Sequence, residues 1–261
     1  MDIIVCIKQV PDTTDVKIDP QTNTLVREGV RSVINPFDLY AIEEALRLRE
    51  AHGGKVTVLT MGPPQALVSL REALAMGADD AALISDRRFA GSDTLATSYT
   101  LAQAIKRVGR FDLVICGKQA TDGDTAQVGP GIAAHLNLAQ VAFVKKTVEV
   151  GERSATFLRM TEEGHDAVRV PLPAVITVVK EINTPRYASL TGKVRARRMA
   201  TPVWGPDDIC CDEEKLGLDG SPTWVQKIFS PPVRKGQPAQ EASDESITKV
   251  AETVAEYLHG K

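Results

Sequence analysis

The chain has 261 residues, a formal net charge of −3, 25% charged and 43% hydrophobic residues, which is ordinary for a soluble globular protein. This length allows one large α/β domain with an appended arm, or two small domains. The small negative charge argues against nucleic acid or an anionic membrane surface as the main partner. No apolar run approaches membrane-spanning length, so we expect no membrane insertion. The first residues are too short for a secretory signal, and a cytoplasmic location is expected.

The first half of the chain alternates predicted strands and helices. Apolar runs predict strands at 2–10, 55–60, 81–84 and 113–116, and helical spacing predicts helices at 36–52, 65–76, 93–108 and 132–136. Short alternating runs around residues 21–23 predict a small hairpin after the first strand. Because the strands are apolar throughout, we expect an α/β fold with a doubly wound parallel sheet that is covered on both faces.

The pattern changes after Phe143. Strands are predicted at 143–150, 155–160, 167–170 and 174–179 with no helix between them, which favours a meander or added antiparallel strands. Residues 201–241 are rich in proline, glycine and polar residues, which favours an extended arm. A final amphipathic helix is marked by Ile247, Val250, Ala251, Val254 and Leu258.

The most informative stretch is FDLVICGKQATDGDTAQVGPGIAAHL, residues 111–136. It reads as a buried strand, a polar glycine-containing loop and a helix, which places free backbone N–H groups at the carboxyl edge of a sheet. It contains neither GxxxxGK[ST] nor GxGxxG, so Walker-type and nicotinamide-type fingerprints are not supported. From the residues alone, an anion site and an ordinary helix-entry loop both stay open.

Capping and cysteine patterns are less specific. Asn35 is a good candidate for the N-cap of the first helix, and Asp38 suits its positive end. Cys6 and Cys116 lie in apolar strands as small buried residues. The four cysteines form no CxxC pair and the four histidines no HxxxH, so we predict no metal site.

Several segments carry a resemblance to a known family. GKQATDGDTAQVGPGIAAHL (117–136) resembles the nucleotide-binding segment of the β (small) subunit of electron-transfer flavoproteins. NPFDLYAIEEALRLRE, ALAMGADDAAL, MTEEGHDAVRVPLPAVITV and PRYASL are similar to the same family. The resemblance covers about three quarters of the chain, up to Arg198. It implies an adenine-nucleotide-binding, Rossmann-like sheet.

The resemblance and the sheet-edge argument together mark a cofactor-binding set and no catalytic residue. The set is Cys6, Lys8, Asn35, Phe37, Asp38, Met61, Gly117, Gln119, Asp122, Gly123, Asp124, Thr125, Ala126, Gln127, Val128, Gly129 and Pro130. Small side chains let amides approach a pyrophosphate. Asp122 and Asp124 would repel it, so we expect them to turn away toward loop amides or a ribose hydroxyl. Two positions of the Lys8 side chain stay open: near the pyrophosphate, or simply exposed to solvent.

The choice of nucleotide also rests on resemblance. Family members that only relay electrons carry a bulkier, more acidic loop and bind AMP as a structural nucleotide. Members of electron-bifurcating complexes have glycine at the position of Gly123 and the run DTAQVGP, and they bind a second FAD. The chain is more similar to the latter, which implies FAD here, with AMP as the alternative and another FAD held mainly by the α subunit.

The implied partners follow from the family. They are the α subunit in a heterodimer, an acyl-CoA dehydrogenase or similar enzyme, NADH, and ferredoxin or flavodoxin. Tyr187 and Leu190 fall in the segment that resembles the family's partner-recognition loop, near 183–193. We expect residues 1–200 to form the nucleotide-binding domain and residues 201–261 an arm and helix packing on the α subunit. A stand-alone adenine-nucleotide-binding signalling module is a further alternative.

Overall fold

The computed structural model describes residues 1–12, 32–226 and 243–259. The strands are β1 Asp2–Ile7, β2 Gln9–Pro11, β3 Ser32–Ile34, β4 Lys55–Met61, β5 Asp80–Ile84, β6 Leu113–Gly117, β7 Ala139–Val150, β8 Ser154–Met160, β9 His165–Pro171, β10 Ala174–Val178 and β11 Val203–Trp204. The helices are α1 Pro36–His52, α2 Leu67–Met76, α3 Thr94–Val108, α4 Val128–Leu136, α5 Leu190–Arg198 and α6 Asp244–His259. The hairpin predicted around residues 21–23 lies outside the described residues.

A nine-stranded sheet organises the fold, in the order β11-β5-β4-β1-β6-β10-β7-β8-β9. The strands from β11 to β7 are parallel, and β8 and β9 add antiparallel pairs at one edge. The chain winds outward from β1 through β4 to β5 and then returns to β6 on the other side of β1. The direction of winding therefore reverses between β1 and β6, which is where ligands bind in open parallel sheets. The predicted doubly wound α/β class is confirmed.

Alternate residues of β1 face two separate cores. Ile3 and Val5 pack in a cluster that includes residues of α1 and α2, whereas Ile4 and Cys6 pack in a cluster that includes residues of α3 and α4. All four side chains are nearly inaccessible to solvent. Because both faces of the strand are buried, its sequence is continuously apolar rather than alternating.

The predicted meander after Phe143 is wrong in one respect. β10 is not part of an antiparallel array but inserts between β6 and β7, parallel to both. β7 begins at Ala139, earlier than predicted, pairs parallel with β10 and then antiparallel with β8. The change of partner coincides with a break in register near Phe143, whose φ is +60°. Each residue of β10 is buried, as a central strand requires.

The compact part of the chain runs from Met1 to Gln226. β11 adds to the sheet beside β5, and Ile209 and Leu216 are buried in the core on the α3 side. Residues 201–226 therefore pack on the sheet, and the prediction that the C-terminal part lies on a companion subunit stays a prediction. The second unit comprises Lys227–Lys261, and its described part contains α6, which confirms the predicted final helix.

Candidate functional site

A cavity of about 600 Å³ opens at the carboxyl edge of β1 and β6. Its walls come from the ends of these strands, the loop before α4 and the first turn of α3. Thirteen predicted site residues line it: Cys6, Lys8, Asn35, Asp38, Met61, Gly117, Gln119, Gly123, Thr125, Ala126, Gln127, Val128 and Gly129. The other four predicted residues, Phe37, Asp122, Asp124 and Pro130, are not among the lining residues. A volume of this size is typical of small-molecule and cofactor sites.

Asn35 holds the loop in place. Its side chain is buried, its Nδ2 donates to the carbonyl of Gln119 at 2.8 Å, and its Oδ1 accepts from the amide of Thr121 at 3.1 Å. Asn35 stands at the N-cap of α1 but makes no side-chain capping hydrogen bond, so the prediction that it caps this helix through its side chain is wrong. The buried side-chain amide of Asn35 makes its hydrogen bonds to the loop instead. These bonds fix the loop conformation before a ligand binds.

Asp38 ties the ends of β1 and β6 together. Its carboxylate accepts from the amide of Lys8 at 2.7 Å and from the amide of Gly117 at 3.2 Å. Complete burial raises the pKa of Asp38 to about 7, although hydrogen bonds from Lys8, Asn35 and Gly117 work in the opposite direction. Asp38 lies in the first turn of α1, as predicted, and it also builds the floor of the cavity.

The amides of residues 125–129 are the backbone groups of the site that are suited to an anion. Within the described parts of the chain, none of these five amides donates a hydrogen bond to a protein group. Ala126 has a left-handed φ of +55°, and Gln127 follows with φ −101° and ψ −19°. Neighbouring residues of opposite hand turn successive N–H groups toward one point, an arrangement that binds anions. The amides lie just before α4 and in its first turn, so the helix dipole adds a positive potential. The helix begins at Val128, four residues before the predicted start.

Gly123 does not contribute a free amide. Its N–H and that of Asp124 both donate to the carbonyl of Ala120, at 3.4 and 2.9 Å. This turn brings Asp124 to a φ of +50°, a conformation that Asp tolerates better than most residues. Gly123 is exposed, and a Cβ atom there would meet nothing within 4 Å. The space beside the turn is therefore open.

Two other glycines let the backbone approach closely. A Cβ on Gly129 would lie 2.4 Å from Cγ2 of Thr177 on β10, and a Cβ on Gly117 would lie 2.3 Å from Oδ1 of Asp38. Neither distance is possible between real atoms, so both positions require glycine. Gly129 thereby sets the depth at which the first turn of α4 sits against the sheet.

The two loop carboxylates are occupied by side chains. Nζ of Lys8 lies 2.7 and 2.8 Å from the two carboxylate oxygens of Asp122. Nε2 of Gln119 donates to Asp124 at 2.7 Å. Asp122 and Asp124 thus pair with side chains rather than with loop amides. The ion pair neutralises Lys8 in this structure, and its role toward a phosphate stays a prediction.

Two cysteines form an uncharged part of the floor. Cys6 and Cys116 are partners in the β1–β6 register, are buried and line the cavity. A hydrogen bond with Cys6, and then burial, raises the pKa of the Cys116 thiol well above its ordinary value. The thiol is therefore neutral at physiological pH and adds no negative charge to the cavity. Across the described residues, no group of three His, Cys, Asp or Glu side chains is arranged to hold a metal ion.

The opposite wall was not predicted from the sequence. It consists of Phe89, Gly91, Ser92, Asp93, Thr94, Thr97, Leu101 and Val225. Asp93 is the N-cap of α3, so the Asp-Thr start of a helix following β5 was the available signal. Val225 lies far along the chain in a segment without regular structure, and no local pattern marks it.

A second exposed feature lies around α5. The side chains of Tyr187 and Leu190 are 98% and 80% exposed. Leu190 was predicted at the tip of a loop, but it is the first residue of α5, capped by Ser189, whose Oγ accepts from the amide of Gly192. The basic residues that follow lie on this helix rather than on a loop.

Arg186 fastens this segment to α1. Its Nε donates to Glu43 at 2.8 Å, and its Nη1 lies 2.5 Å from Glu50. The side chain of Glu43 is only 7% exposed. At the other end of the segment, the guanidinium of Arg195 donates to the carbonyls of Leu74 and Ala78 at 2.9 and 2.8 Å. Tyr187 and Leu190 are thus presented between two anchored points.

A doubly wound parallel sheet with free amides and a helix N-terminus at the reversal of its winding places this chain in the class of Rossmann-like α/β proteins, in which ligands bind at that point of the sheet. The family model described as "Electron transfer flavoprotein domain" matches residues 22–205. The chain is 46% identical over 265 residues to the electron transfer flavoprotein subunit beta of Megasphaera elsdenii, with 99% of this chain and 98% of that protein covered. The corresponding subunit of Clostridium acetobutylicum is 50% identical over 258 residues, with 97% and 98% covered.

A third relative is a subunit of a named enzyme complex. The caffeyl-CoA reductase-Etf complex subunit CarD of Acetobacterium woodii is 47% identical over 262 residues, with 100% of this chain and 99% of that protein covered. The chain therefore belongs to the electron transfer flavoprotein family as a β subunit, and its function lies in electron transfer. No helix in the described ranges has the length and apolar character needed to cross a membrane.

Proposed function

We propose that this β subunit binds FAD in the cavity beside β1 and β6 and serves in flavin-based electron bifurcation. Electrons would pass between NADH or a dehydrogenase, a low-potential acceptor such as ferredoxin or flavodoxin, and an FAD held mainly by the α subunit. The observation that carries the proposal is the set of five amides at residues 125–129, which donate to no protein group among the described residues, in a cavity that Lys8 and Lys118 also line.

The residues fit a dinucleotide in three respects. The amides of residues 125–129 would hold the diphosphate, and the hydroxyl of Thr125 would add a donor. Gly129 keeps these amides at the sheet edge, and Asn35 fixes the preceding loop. The open space beside Gly123 leaves room for a ligand that extends beyond the adenylate part. When bound, FAD supplies the redox chemistry, and the protein supplies position and local electrostatics.

The docking surface proposed for a partner dehydrogenase is the segment with Tyr187 and Leu190. Exposed aromatic and aliphatic side chains on an anchored backbone are suited to insertion into a partner's pocket. Four basic residues of α5, Lys193, Arg195, Arg197 and Arg198, lie between residues 183 and 204, where the sequence has no Asp or Glu. Arg186 of the same stretch is already paired with Glu43 and Glu50 of α1. An acidic rim on an acyl-CoA dehydrogenase or similar enzyme would complement this charge.

The nucleotide content of the purified heterodimer tests the proposed cofactor. The complex with the α subunit is denatured by heat, and the released nucleotides are separated and quantified. Two FAD per heterodimer supports the proposal. One FAD with one AMP assigns AMP to this subunit and removes the bifurcating role, although the chain would still be an electron transfer flavoprotein β subunit.

The proposed association with an α subunit has a separate test. The full chain should co-purify with the α subunit, and a chain ending at Gln226, which keeps the whole compact unit, should not. Equal recovery of the α subunit with both chains would contradict the proposed role of the C-terminal part. A full chain that remains a monomer in the presence of the α subunit would favour the stand-alone binding module.

A further inference from the structure

Residues 221–226, which we call the wall segment, lie at the end of the compact part of the chain. This segment follows Leu216, which is buried in the core, and it brings Val225 into the lining of the cavity. Val225 and its neighbour Trp224 are 77% and 72% exposed. The segment contains no helix or strand. Something other than regular secondary structure must therefore hold Val225 at the cavity.

Asp93 is the group that holds the wall segment. Its Oδ1 caps α3 by accepting from the amides of Leu95 at 2.9 Å and Ala96 at 3.1 Å. Its Oδ2 accepts from the amide of Thr223 at 3.1 Å and from the hydroxyl of Thr223 at 2.7 Å. The backbone amide of Asp93 donates to Oγ of Ser221 at 2.8 Å. One residue at a helix N-terminus thus fixes two points of the wall segment.

The same contact changes the electrostatics of the cavity. Asp93 itself lines the cavity, and a bare carboxylate there would repel a phosphorylated ligand. Burial by itself would raise the pKa of Asp93, but the hydrogen bonds from Thr223, Ala96 and Leu95 lower it below its ordinary value. The carboxylate is therefore ionised at neutral pH, and the two donors of Thr223 occupy the oxygen that the α3 cap leaves free.

We propose that the wall segment is part of the nucleotide site, and that Asp93 and Thr223 are positioning residues that slow the release of the bound nucleotide. The proposal rests on the proposed binding of a nucleotide in this cavity. When the Asp93–Thr223 contact is formed, Val225 closes one side of the cavity. The Asp93 carboxylate then accepts its hydrogen bonds from protein donors rather than facing the ligand. With the contact broken, that side opens and the free oxygen of Asp93 faces the ligand.

The test measures nucleotide release from the natural complex with the α subunit. The complex is loaded with labelled FAD or, separately, labelled AMP, and release into excess unlabelled nucleotide is followed. Thr223→Val removes the hydroxyl donor but keeps the shape and the backbone amide. We expect it to release the nucleotide of this subunit about tenfold faster, the factor expected for one hydrogen bond to a charged group, with an unchanged association rate. Thr223→Ser, which keeps the hydroxyl, should release it at the wild-type rate.

Two controls separate positioning from general destabilisation. The thermal midpoints of the nucleotide-free wild-type and Thr223→Val complexes should lie within about 5 °C of each other, because the contact lies at the surface and only one hydrogen bond is lost. Val225→Ala, with the contact intact, should also release nucleotide faster. Wild-type release rates in both Thr223→Val and Val225→Ala would overturn the inference, as would equally fast release from Thr223→Ser. A wild-type complex that retains neither FAD nor AMP in this subunit would overturn the proposed function as well.

Discussion

Gly129→Ala should damage the site by displacing the first turn of α4. The added Cβ would lie 2.4 Å from Cγ2 of Thr177, with Cβ of Cys116 at 3.7 Å closing the other side. Ordinary carbon–carbon contacts are about 3.5–4.0 Å, so α4 or β10 must move by about 1 Å. Thr177 is only 4% exposed on a central strand, and its Oγ1 accepts from the amide of Phe143 at 3.1 Å. We therefore expect the start of α4 to move rather than the strand.

Two opposing effects determine how much Gly129→Ala changes the free energy of unfolding. Overpacking of a tight core costs about 1–3 kcal/mol, and Ala gains at most about 1 kcal/mol over Gly in a helix. We expect a net loss of about 1–2 kcal/mol in the free energy of unfolding. Losing one amide hydrogen bond to a charged phosphate costs about 1.5–3 kcal/mol, which weakens nucleotide binding by about 10- to 100-fold.

The assay combines urea unfolding with equilibrium titration by FAD and AMP, and it has a matched control and a rescue. Gly123→Ala, in the same loop, meets nothing within 4 Å in the protein and should unfold like wild type in urea. Thr177→Ser removes the colliding methyl group but keeps Oγ, so the double variant Gly129→Ala/Thr177→Ser should recover most of the stability and affinity. Wild-type affinity in Gly129→Ala alone, or no recovery in the double variant, would refute the reasoning.

Three further predictions concern charge. Gly123→Asp places a carboxylate in the cavity lining and should weaken FAD binding at least about tenfold, whereas unchanged binding would count against the placement of the ligand. Arg186→Met leaves the buried Glu43 unpaired and should lower the free energy of unfolding by about 2 kcal/mol in urea, against under about 0.5 kcal/mol for the exposed Arg197→Met; equal losses would contradict this. Asp38 has a pKa of about 7 in the folded protein against an ordinary value of 3.8, so the folded protein binds this proton more tightly than the unfolded chain does. Protonated Asp38 contributes its full stabilisation below about pH 4. This contribution to the free energy of unfolding is lost as the pH rises to about 7, by up to about 1.4 kcal/mol per pH unit. Urea unfolding of Asp38→Asn should lack that loss, and identical pH profiles would refute the raised pKa.

The sequence was sufficient to locate the strand, loop and helix that line the cavity. The apolar run of β6, the glycines of the loop and the apolar residues of α4 are local signals, and the structure places the predicted strand, loop and helix in that order. The winding of β1, β4, β5 and β6 was equally accessible, because alternating strands and helices of short period allow few topologies. The start of α4 was placed too late because Gly129, Pro130 and Gly131 hide a helix that begins at Val128.

Long-range features were not accessible in the same way. The insertion of β10 between β6 and β7 depends on pairing between distant segments, and the alternation within either segment does not specify it. Asn35 has the residue type and position of a helix cap, yet a loop more than eighty residues away takes its hydrogen bonds. The contribution of Val225 depends on the contact between Asp93 and Thr223, 130 residues apart.

The most direct test is a crystal structure of the heterodimer with its bound nucleotide. We predict that diphosphate oxygens of FAD lie about 3 Å from amide nitrogens of residues 125–129, in the cavity beside β1 and β6. A nucleotide whose phosphates lie elsewhere, with these five amides bonded to protein groups or to water alone, would contradict the account.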